Sequence, residues 1–273
     1  MQIKDKKVII IGTTGKLGVA FCRELLRNGA GTIIILDDQE IQAQSAVEEL
    51  NKEFGKNRVN YLSCDVSKNI LDCVFKEAVG ILGGLDILIN NADLINESNI
   101  CRAVDVNITA VVRGTLLGVQ VMGKDLGGRG GIVVNVASIL GLDVLAQLPI
   151  YSTTKQAVIS FSRSYAQPYH YNRTGVKIVV LCPGVSDSCI KENINNFYED
   201  PEAISEQQLT ILPKNFYFHI ARNRVETVAH GLIYAIRCAQ NGSIWVSEDG
   251  QPVYEIQPPD LLPEKSTDNN HTE

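Results

Sequence analysis

The sequence predicts an α/β protein: a single-domain, Rossmann-type doubly wound parallel sheet with helices on both faces. Short and almost wholly apolar runs alternate with segments of helical period, a pattern typical of strands covered on both faces and of the helices that cover them. Polar clusters follow these strands, either at the carboxyl end or in the next helix, where open parallel sheets bind ligands.

The predicted strands are runs of four to six residues rich in valine, isoleucine and leucine. They are Val8 to Ile11, Thr32 to Leu36, Val59 to Ser63, Leu85 to Ile89, Ile132 to Ala137, Val176 to Leu181 and Ser243 to Val246. Helical patterns separate them, including a long one from about Cys101 to Leu126 and another that begins near Tyr151 and runs toward Pro168.

No second domain is expected. Residues 1–257 form one predicted domain, because the glycine pairs within it mark turns between strands and helices. Residues 185–222 form a long insertion after the sixth strand. The tail, residues 258–273, is polar and contains proline, which predicts disorder.

Bulk composition excludes several classes of function. The chain has 273 residues, 45% hydrophobic and 21% charged, as in ordinary soluble proteins. A net charge of −6 and a pI of about 5.3 argue against nucleic acid or an anionic membrane as partner. The first apolar run, Val8 to Ile11, is too short for a signal-peptide core, and no apolar stretch approaches the ~20 residues of a membrane span. We therefore expect a cytoplasmic protein.

The seven cysteines are scattered, odd in number and without C-x-x-C pairs, and the four histidines lack ligand spacing. This pattern predicts reduced, partly buried thiols and no disulfide framework. We expect no metal site.

Three side chains indicate proton-transfer chemistry. Tyr151 and Lys155 stand four apart at the start of a predicted helix, so they share one face. Ser138 closes the strand before them. An ammonium beside a phenol lowers the pKa of the phenol from its ordinary ~10, and the serine hydroxyl can hold a substrate oxygen. A Y-x-x-x-K spacing also arises by chance in helices, so its weight depends on the rest of the chain.

A glycine-rich turn and a carboxylate indicate a dinucleotide. Gly12, Gly15 and Gly18 lie between the first strand and the first helix, where small residues let backbone N–H groups approach a pyrophosphate. Asp37 ends the second strand and can accept from ribose hydroxyls while repelling a 2′-phosphate, which favours NAD over NADP. The alternative is that Asp37 and Asp38 form a solvated turn.

Two further clusters follow later strands. Asp65 and the run Asn90-Asn91-Ala92 are candidates for the adenine side of the same crevice. Asp65 has an equally good alternative, which is to cap the following helix.

Taken together, these motifs resemble the short-chain dehydrogenase/reductase family. The residues that carry the resemblance are Gly12, Gly18, Asn90-Asn91-Ala92, Asn107, Ser138, Tyr151, Lys155 and Pro183-Gly184. It extends over residues 5–257. The stretches from Gly130 to Asn135, Pro149 to Ser152 and Asn241 to Trp245 are most similar to insect alcohol dehydrogenases and to relatives of the 15-hydroxyprostaglandin dehydrogenase type.

The resemblance implies a catalytic set of Asn107, Ser138, Tyr151 and Lys155. Tyr151 is the implied acid/base, Lys155 binds the nicotinamide ribose, and Ser138 positions the substrate oxygen. Asn107 supports a water-linked proton path, although a helical asparagine taken alone is more often a satisfied structural group. The implied cofactor-binding set, for NAD, is Gly12, Thr13, Thr14, Gly15, Lys16, Leu17, Gly18, Asp37, Asp65, Val66, Asn91, Ala92, Tyr151, Lys155, Pro183, Gly184 and Ser186.

Two positions depart from the family pattern. Lys16 stands where the glycine-rich turn usually has its middle glycine, and points either outward or toward the pyrophosphate. Asp93 replaces the glycine of an N-A-G turn, and aspartate tolerates a left-handed conformation better than most residues. Both changes bear on cofactor affinity and leave the catalytic set intact.

The insertion at 185–222 resembles a substrate lid. It is rich in isoleucine, leucine and aromatic residues, and Phe197 and Phe216, with Ser138 and Tyr151, are the predicted substrate contacts. An apolar lid suits an apolar alcohol or ketone and excludes water. The alternative is that these side chains fill core or dimer contacts. The long helices from Cys101 and from Tyr151 are where relatives pair, which implies a homodimer.

Three functional hypotheses follow. The first is an NAD-dependent dehydrogenase for a secondary or long-chain primary alcohol. The second is a dehydrogenase-like binding or storage protein that handles cofactor poorly, as Lys16 and Asp93 suggest. The third is an NADPH-dependent reductase in which Lys16 meets the 2′-phosphate, a role that Asp37 opposes.

Overall fold

The structure, a computed structural model, confirms the predicted fold class. It describes residues 1–13, 15–143, 145–184, 225–248 and 250–257. Within those residues the strands form one eight-stranded sheet with helices on both faces. The predicted lid and tail, residues 185–222 and 258–273, lie outside the described part of the chain.

The sheet has the strand order β3-β2-β1-β4-β5-β6-β7-β8, and β1 to β7 are parallel. The strands are β1 (Lys7–Ile11), β2 (Thr32–Asp37), β3 (Val59–Ser63), β4 (Ile87–Asn90), β5 (Gly131–Val136), β6 (Val176–Pro183), β7 (Ile244–Ser247) and β8 (Tyr254–Ile256). The antiparallel edge strand β8 was not predicted, because its first two residues are exposed and it lacks a buried apolar run.

The described helices fill the spaces between these strands. They are α1 (Lys16–Arg27), α2 (Glu40–Phe54), α3 (Leu71–Leu82), α4 (Ile100–Val104), α5 (Ala110–Met122), α6 (Pro149–Tyr165), α7 (Pro168–Thr174) and α8 (Val225–Cys238). The predicted long helix ends at Met122 rather than Leu126, because Gly123 turns the backbone to an extended conformation. Pro168 starts α7 at its first position, where the missing N–H costs nothing.

Alternate residues of each central strand face opposite layers of helices. In β1, Val8 and Ile10 belong to the core cluster that also contains residues of α1, α2 and α8. Ile9 and Ile11 belong to the cluster that contains residues of α3 and α5. This period of two buries both faces, which is why the strand sequences read as unbroken apolar runs.

A π-helical turn, Asp105–Thr109, joins α4 to α5 into one continuous helix, Ile100–Met122. This helix is long and apolar enough to meet the criterion for a membrane span. The expectation that no apolar stretch approaches that length is therefore wrong for this helix. However, 44% of its apolar window is buried within the fold, and the core helix of a soluble protein passes the same test.

Two glycines allow the turn after β1 to pack tightly. Gly12 has a positive φ of 82°, and a Cβ there would lie 2.4 Å from the Cα of Ala92. A Cβ on Gly18 would lie 2.5 Å from the Cα of Thr13. Both distances are shorter than real contacts, so the close approach of this turn to α1 and to the end of β4 requires glycine.

Candidate active site

A crevice of about 710 Å³ lies at the carboxyl edge of the sheet, where the strand order reverses between β1 and β4. The predicted residues that line it are Gly12, Thr13, Gly15, Lys16, Leu17, Gly18, Asp37, Val66, Asn91, Ala92, Ser138, Tyr151, Lys155, Pro183 and Gly184. Asp65 and Asn107 do not line it. Thr14, Ser186, Phe197 and Phe216 lie outside the described residues.

Asp37 is buried at the end of β2, with 4% of its surface exposed, and is not part of a solvated turn. Its Oδ2 accepts from the backbone N–H of Thr13 at 2.5 Å, and its Oδ1 accepts from that of Gln39 at 3.0 Å. The glycine-rich turn itself therefore holds the carboxylate in the crevice. A carboxylate fixed there can accept from ribose hydroxyls and repels a phosphate.

The start of α1 provides an anion site in the same crevice. Its N-cap is Gly15, which has no side chain to cap the first N–H groups, and its first turn has no acidic residue. Lys16 is exposed and lines the crevice. The buried hydroxyl of Thr13 has no hydrogen-bond partner among the described residues. These groups fit a pyrophosphate.

Asp65 forms a turn of its own rather than a helix cap, since the N-cap of α3 is Ile70. Its carboxylate accepts from the backbone and hydroxyl of Ser67 and pairs with Arg102 at 3.0 Å. Burial acts to raise the pKa of the Asp65 carboxyl, but these hydrogen bonds outweigh burial and hold the pKa below its ordinary value. Arg102, which lines the crevice, was missed because it lies 37 residues away in sequence.

The predicted catalytic residues Tyr151 and Lys155 lie one turn apart on α6. Both are buried, with 5% and 1% of their surface exposed. The ammonium lies 5.5 Å from the centroid of the Tyr151 ring and donates to the carbonyl of Val136 at 3.4 Å. Ser138 follows β5 and lines the same crevice, and its hydroxyl accepts from the N–H of Leu140 at 3.1 Å.

Asp93 connects the two predicted catalytic side chains, Tyr151 and Lys155. Its Oδ2 accepts from the Tyr151 hydroxyl at 3.0 Å, and its Oδ1 lies 2.8 Å from the ammonium of Lys155. The backbone of Asp93 does not use the left-handed conformation, since Asp5 and Asn57 are the described non-glycine residues with positive φ. The side chain is held instead by its two partners on α6.

Asn107 lies in the π-helical turn and is fully buried. Its Oδ1 accepts from the backbone N–H of Leu94 at 2.8 Å, and its Nδ2 donates to the carbonyl of Leu94 and to the hydroxyl of Thr154. The side chain thus fixes the segment after β4 against α6. Its predicted part in a water-linked proton path stays a prediction.

Glu97 holds the first turn of the helix that carries Tyr151. Its carboxylate accepts from the backbone N–H of Ile150 at 3.0 Å and from that of Tyr151 at 2.8 Å. The sequence does not predict this contact, because the cap comes from more than 50 residues away rather than from a neighbouring serine, threonine or aspartate.

A doubly wound sheet with a glycine-rich turn and a buried Tyr–Lys pair at one edge is the architecture of a dinucleotide-binding α/β protein. The family model described as short chain dehydrogenase matches residues 6–199. The chain belongs to the short chain dehydrogenase family.

Individual proteins show the same relationship. The chain is 33% identical over 249 residues to 15-hydroxyprostaglandin dehydrogenase [NAD(+)] of Mus musculus, covering 89% of this chain and 90% of that one. It is 29% identical over 254 residues to alcohol dehydrogenase 1 of Ceratitis cosyra, covering 92% and 94%. A crystal structure of NAD+-bound xylitol dehydrogenase is similar in fold, with a TM-score of 0.73 at 16% identity, covering 91% and 100%.

Proposed function

We propose that this protein is an NAD-dependent dehydrogenase that interconverts an apolar alcohol, secondary or long-chain primary, and its carbonyl. The observation that carries the proposal is that the hydroxyl of Tyr151 and the ammonium of Lys155 line the same crevice as the glycine-rich turn and Asp37. A proton-transfer group and a dinucleotide site are thereby brought to one place.

Each side chain then has a role that its position supports. Tyr151 exchanges a proton with the substrate oxygen, and Ser138 orients that oxygen. Lys155 and the start of α1 hold the cofactor, with Asp37 on the adenosine ribose. NAD, when bound, supplies the hydride acceptor.

The choice of NAD over NADP rests on Asp37. The buried carboxylate would meet a 2′-phosphate at close range, and like charges in a partly buried site repel strongly. The name of the Mus musculus relative, 15-hydroxyprostaglandin dehydrogenase [NAD(+)], supports the same choice. The names of the relatives also support an alcohol as substrate.

We further propose a cytoplasmic homodimer that pairs through α5 and α6. Leu116, in the middle of α5, has 43% of its surface exposed, which suits an apolar contact between two copies. The six described cysteines are free thiols, which agrees with a reducing compartment.

The substitution Tyr151→Phe tests the enzymatic proposal. We expect kcat for NADH production, measured with a panel of alcohols, to fall by roughly 10³-fold, because the acid/base is lost. Binding of NAD by calorimetry and thermal unfolding should be unchanged. The matched control is Tyr165→Phe on the same helix, whose ring stacks on His170 outside the crevice. Unchanged turnover by Tyr151→Phe would refute the mechanism.

A second candidate function rests on one observation. The ammonium that would contact the nicotinamide ribose is already paired with Asp93 at 2.8 Å. A dehydrogenase-like binding or storage protein would keep this ion pair and bind cofactor poorly. Calorimetry separates the candidates: heat of binding at micromolar NAD or NADH supports the enzyme, and no binding at millimolar cofactor supports the binding protein.

A further inference from the structure

The ion pair and hydrogen bond at Asp93 change how the acid/base residue can work. A carboxylate that accepts from the Tyr151 hydroxyl favours the protonated phenol, and it also compensates the charge of Lys155. The ammonium is therefore not free to stabilise a phenolate. In alcohol oxidation, however, Tyr151 must receive a proton, so its own proton needs an acceptor.

We infer that Asp93 is an additional catalytic residue, which accepts the phenolic proton of Tyr151 as Tyr151 takes the proton of the substrate alcohol. This inference rests on the proposed function. Asp93 contacts the reacting oxygen directly, at 3.0 Å, within the range for proton transfer. It differs from a phenolate mechanism because Tyr151 never has to ionise before substrate reacts.

In the proposed step, the alcohol O–H bond breaks as its proton passes to Oη of Tyr151, and NAD, when bound, would accept the hydride from the substrate carbon. The original Oη–H bond breaks as that proton passes to Oδ2 of Asp93, leaving a carbonyl product, a neutral phenol and a neutral carboxylic acid. The side chain of Asp93 has 39% of its surface exposed, whereas Tyr151 is buried. Asp93 can therefore return the proton to solvent.

The other titratable groups near this wall of the crevice do not take that role. The Glu97 carboxylate accepts from the backbone at the start of α6. Burial raises the pKa of the Cys182 thiol to about 12, against the opposing effect of Lys155, so this thiol stays neutral. Lys16 and Arg102 line the crevice as cations and are not proton acceptors.

The variant Asp93→Asn keeps the size of the side chain and removes the base. We expect its single-turnover rate of alcohol oxidation at pH 7 to fall by roughly 10²-fold. The remaining rate should rise with pH between pH 7 and 9, because it then depends on ionised phenol. The wild-type rate should be nearly flat over this range. The control is Asp72→Asn, a half-exposed residue paired with Arg113 outside the crevice.

Two further measurements keep the test decisive. NADH binding by Asp93→Asn, followed by fluorescence, should stay within about threefold of wild type; a parallel loss of binding would assign Asp93 to cofactor binding and overturn the inference. In wild type, the single-turnover rate in H₂O–D₂O mixtures should curve with deuterium content, since two protons move. A linear dependence would overturn the inference without any variant.

The inference and the proposed function fail separately. If Tyr151→Phe retains full activity, the proposed function is wrong. If Tyr151→Phe is inactive while Asp93→Asn matches wild type in rate and pH profile, the inference alone is wrong.

Discussion

At the scale of single residues, the orientation of Tyr151 depends on a cap that is distant in sequence. Helix α6 begins at Pro149, and no side chain at its N-cap, Leu148, accepts from the first N–H groups. Glu97 supplies that acceptor and also places a negative charge at the positive end of the helix. The position of the phenol is thus set by the segment between β4 and α4 as well as by α6.

We predict that Glu97→Ala destabilises the protein by about 1 kcal/mol, the usual cost of a lost N-cap, and lowers kcat severalfold by loosening the first turn of α6. Glu97→Gln, which keeps one acceptor oxygen, should recover part of both losses. Urea denaturation and steady-state kinetics measure the two effects. Glu48→Ala on α2 is the control, as a glutamate on a helix outside the crevice. If Glu97→Ala matches that control in both measurements, the cap is irrelevant.

A contact in the candidate site could be predicted from the sequence only where the two residues lie close together in the chain. Tyr151 and Lys155 were found because helical geometry alone puts residues four apart on one face. Asp93 was noticed only as a departure from a turn pattern, and its contact with Tyr151 joins residues 58 positions apart. Arg102 and Glu97 form contacts over similar distances. No local period encodes such pairs.

At the scale of elements, a buried polar network joins two strands to two helices beneath the crevice. The amide of Asn135, on β5, accepts from Asn90 at 2.7 Å and from Thr115 at 3.1 Å, and donates to Ser162 at 2.9 Å. All four side chains are essentially inaccessible to solvent. Because buried polar groups are costly to leave unpaired, this network fixes how α5 and α6 lie on the sheet.

We therefore predict that Asn135→Ala lowers the free energy of unfolding by roughly 2–4 kcal/mol, since three buried partners lose hydrogen bonds at once. Asn60→Ala, at a half-buried asparagine of β3, should cost less than 1 kcal/mol. Urea denaturation of both variants tests the difference. Equal costs would show that the network contributes little.

The strands and helices that the sequence predicts are more buried than those that it does not predict. Of the seven predicted strands, all except the edge strand β3 are mostly buried, which leaves a nearly continuous apolar signal. The eighth strand, β8, is an exposed edge held by backbone pairing to β7, and α7 is a seven-residue helix with one buried residue. In both elements, contacts with the rest of the fold, rather than a periodic pattern of hydrophobic residues, determine the structure.

At the scale of the whole molecule, the chain's crossovers gather distant residues at one edge. Strands β1 and β4 are neighbours in the sheet, although Gly12 and Ile87 are 75 positions apart in the sequence. The glycine-rich turn after β1 therefore packs against Ala92, which follows β4. The order of the strands, and not any single motif, places the glycine-rich turn in the same crevice as Tyr151 and Lys155. The fold class alone was enough to predict that a crevice would lie at this edge.

The proposed homodimer can be tested by a substitution at the exposed Leu116 of α5. Leu116→Glu should convert a dimer to a monomer in light scattering coupled to size-exclusion chromatography, because a carboxylate would be buried in an apolar contact without a partner. Ile41→Glu is the control, since Ile41 is 82% exposed on α2, away from the proposed interface. Helices α5 and α6 also carry Thr115 and Ser162 of the polar network, so loss of pairing should lower thermal stability along with mass. A dimer that survives Leu116→Glu, or one that Ile41→Glu also dissociates, would place the interface elsewhere.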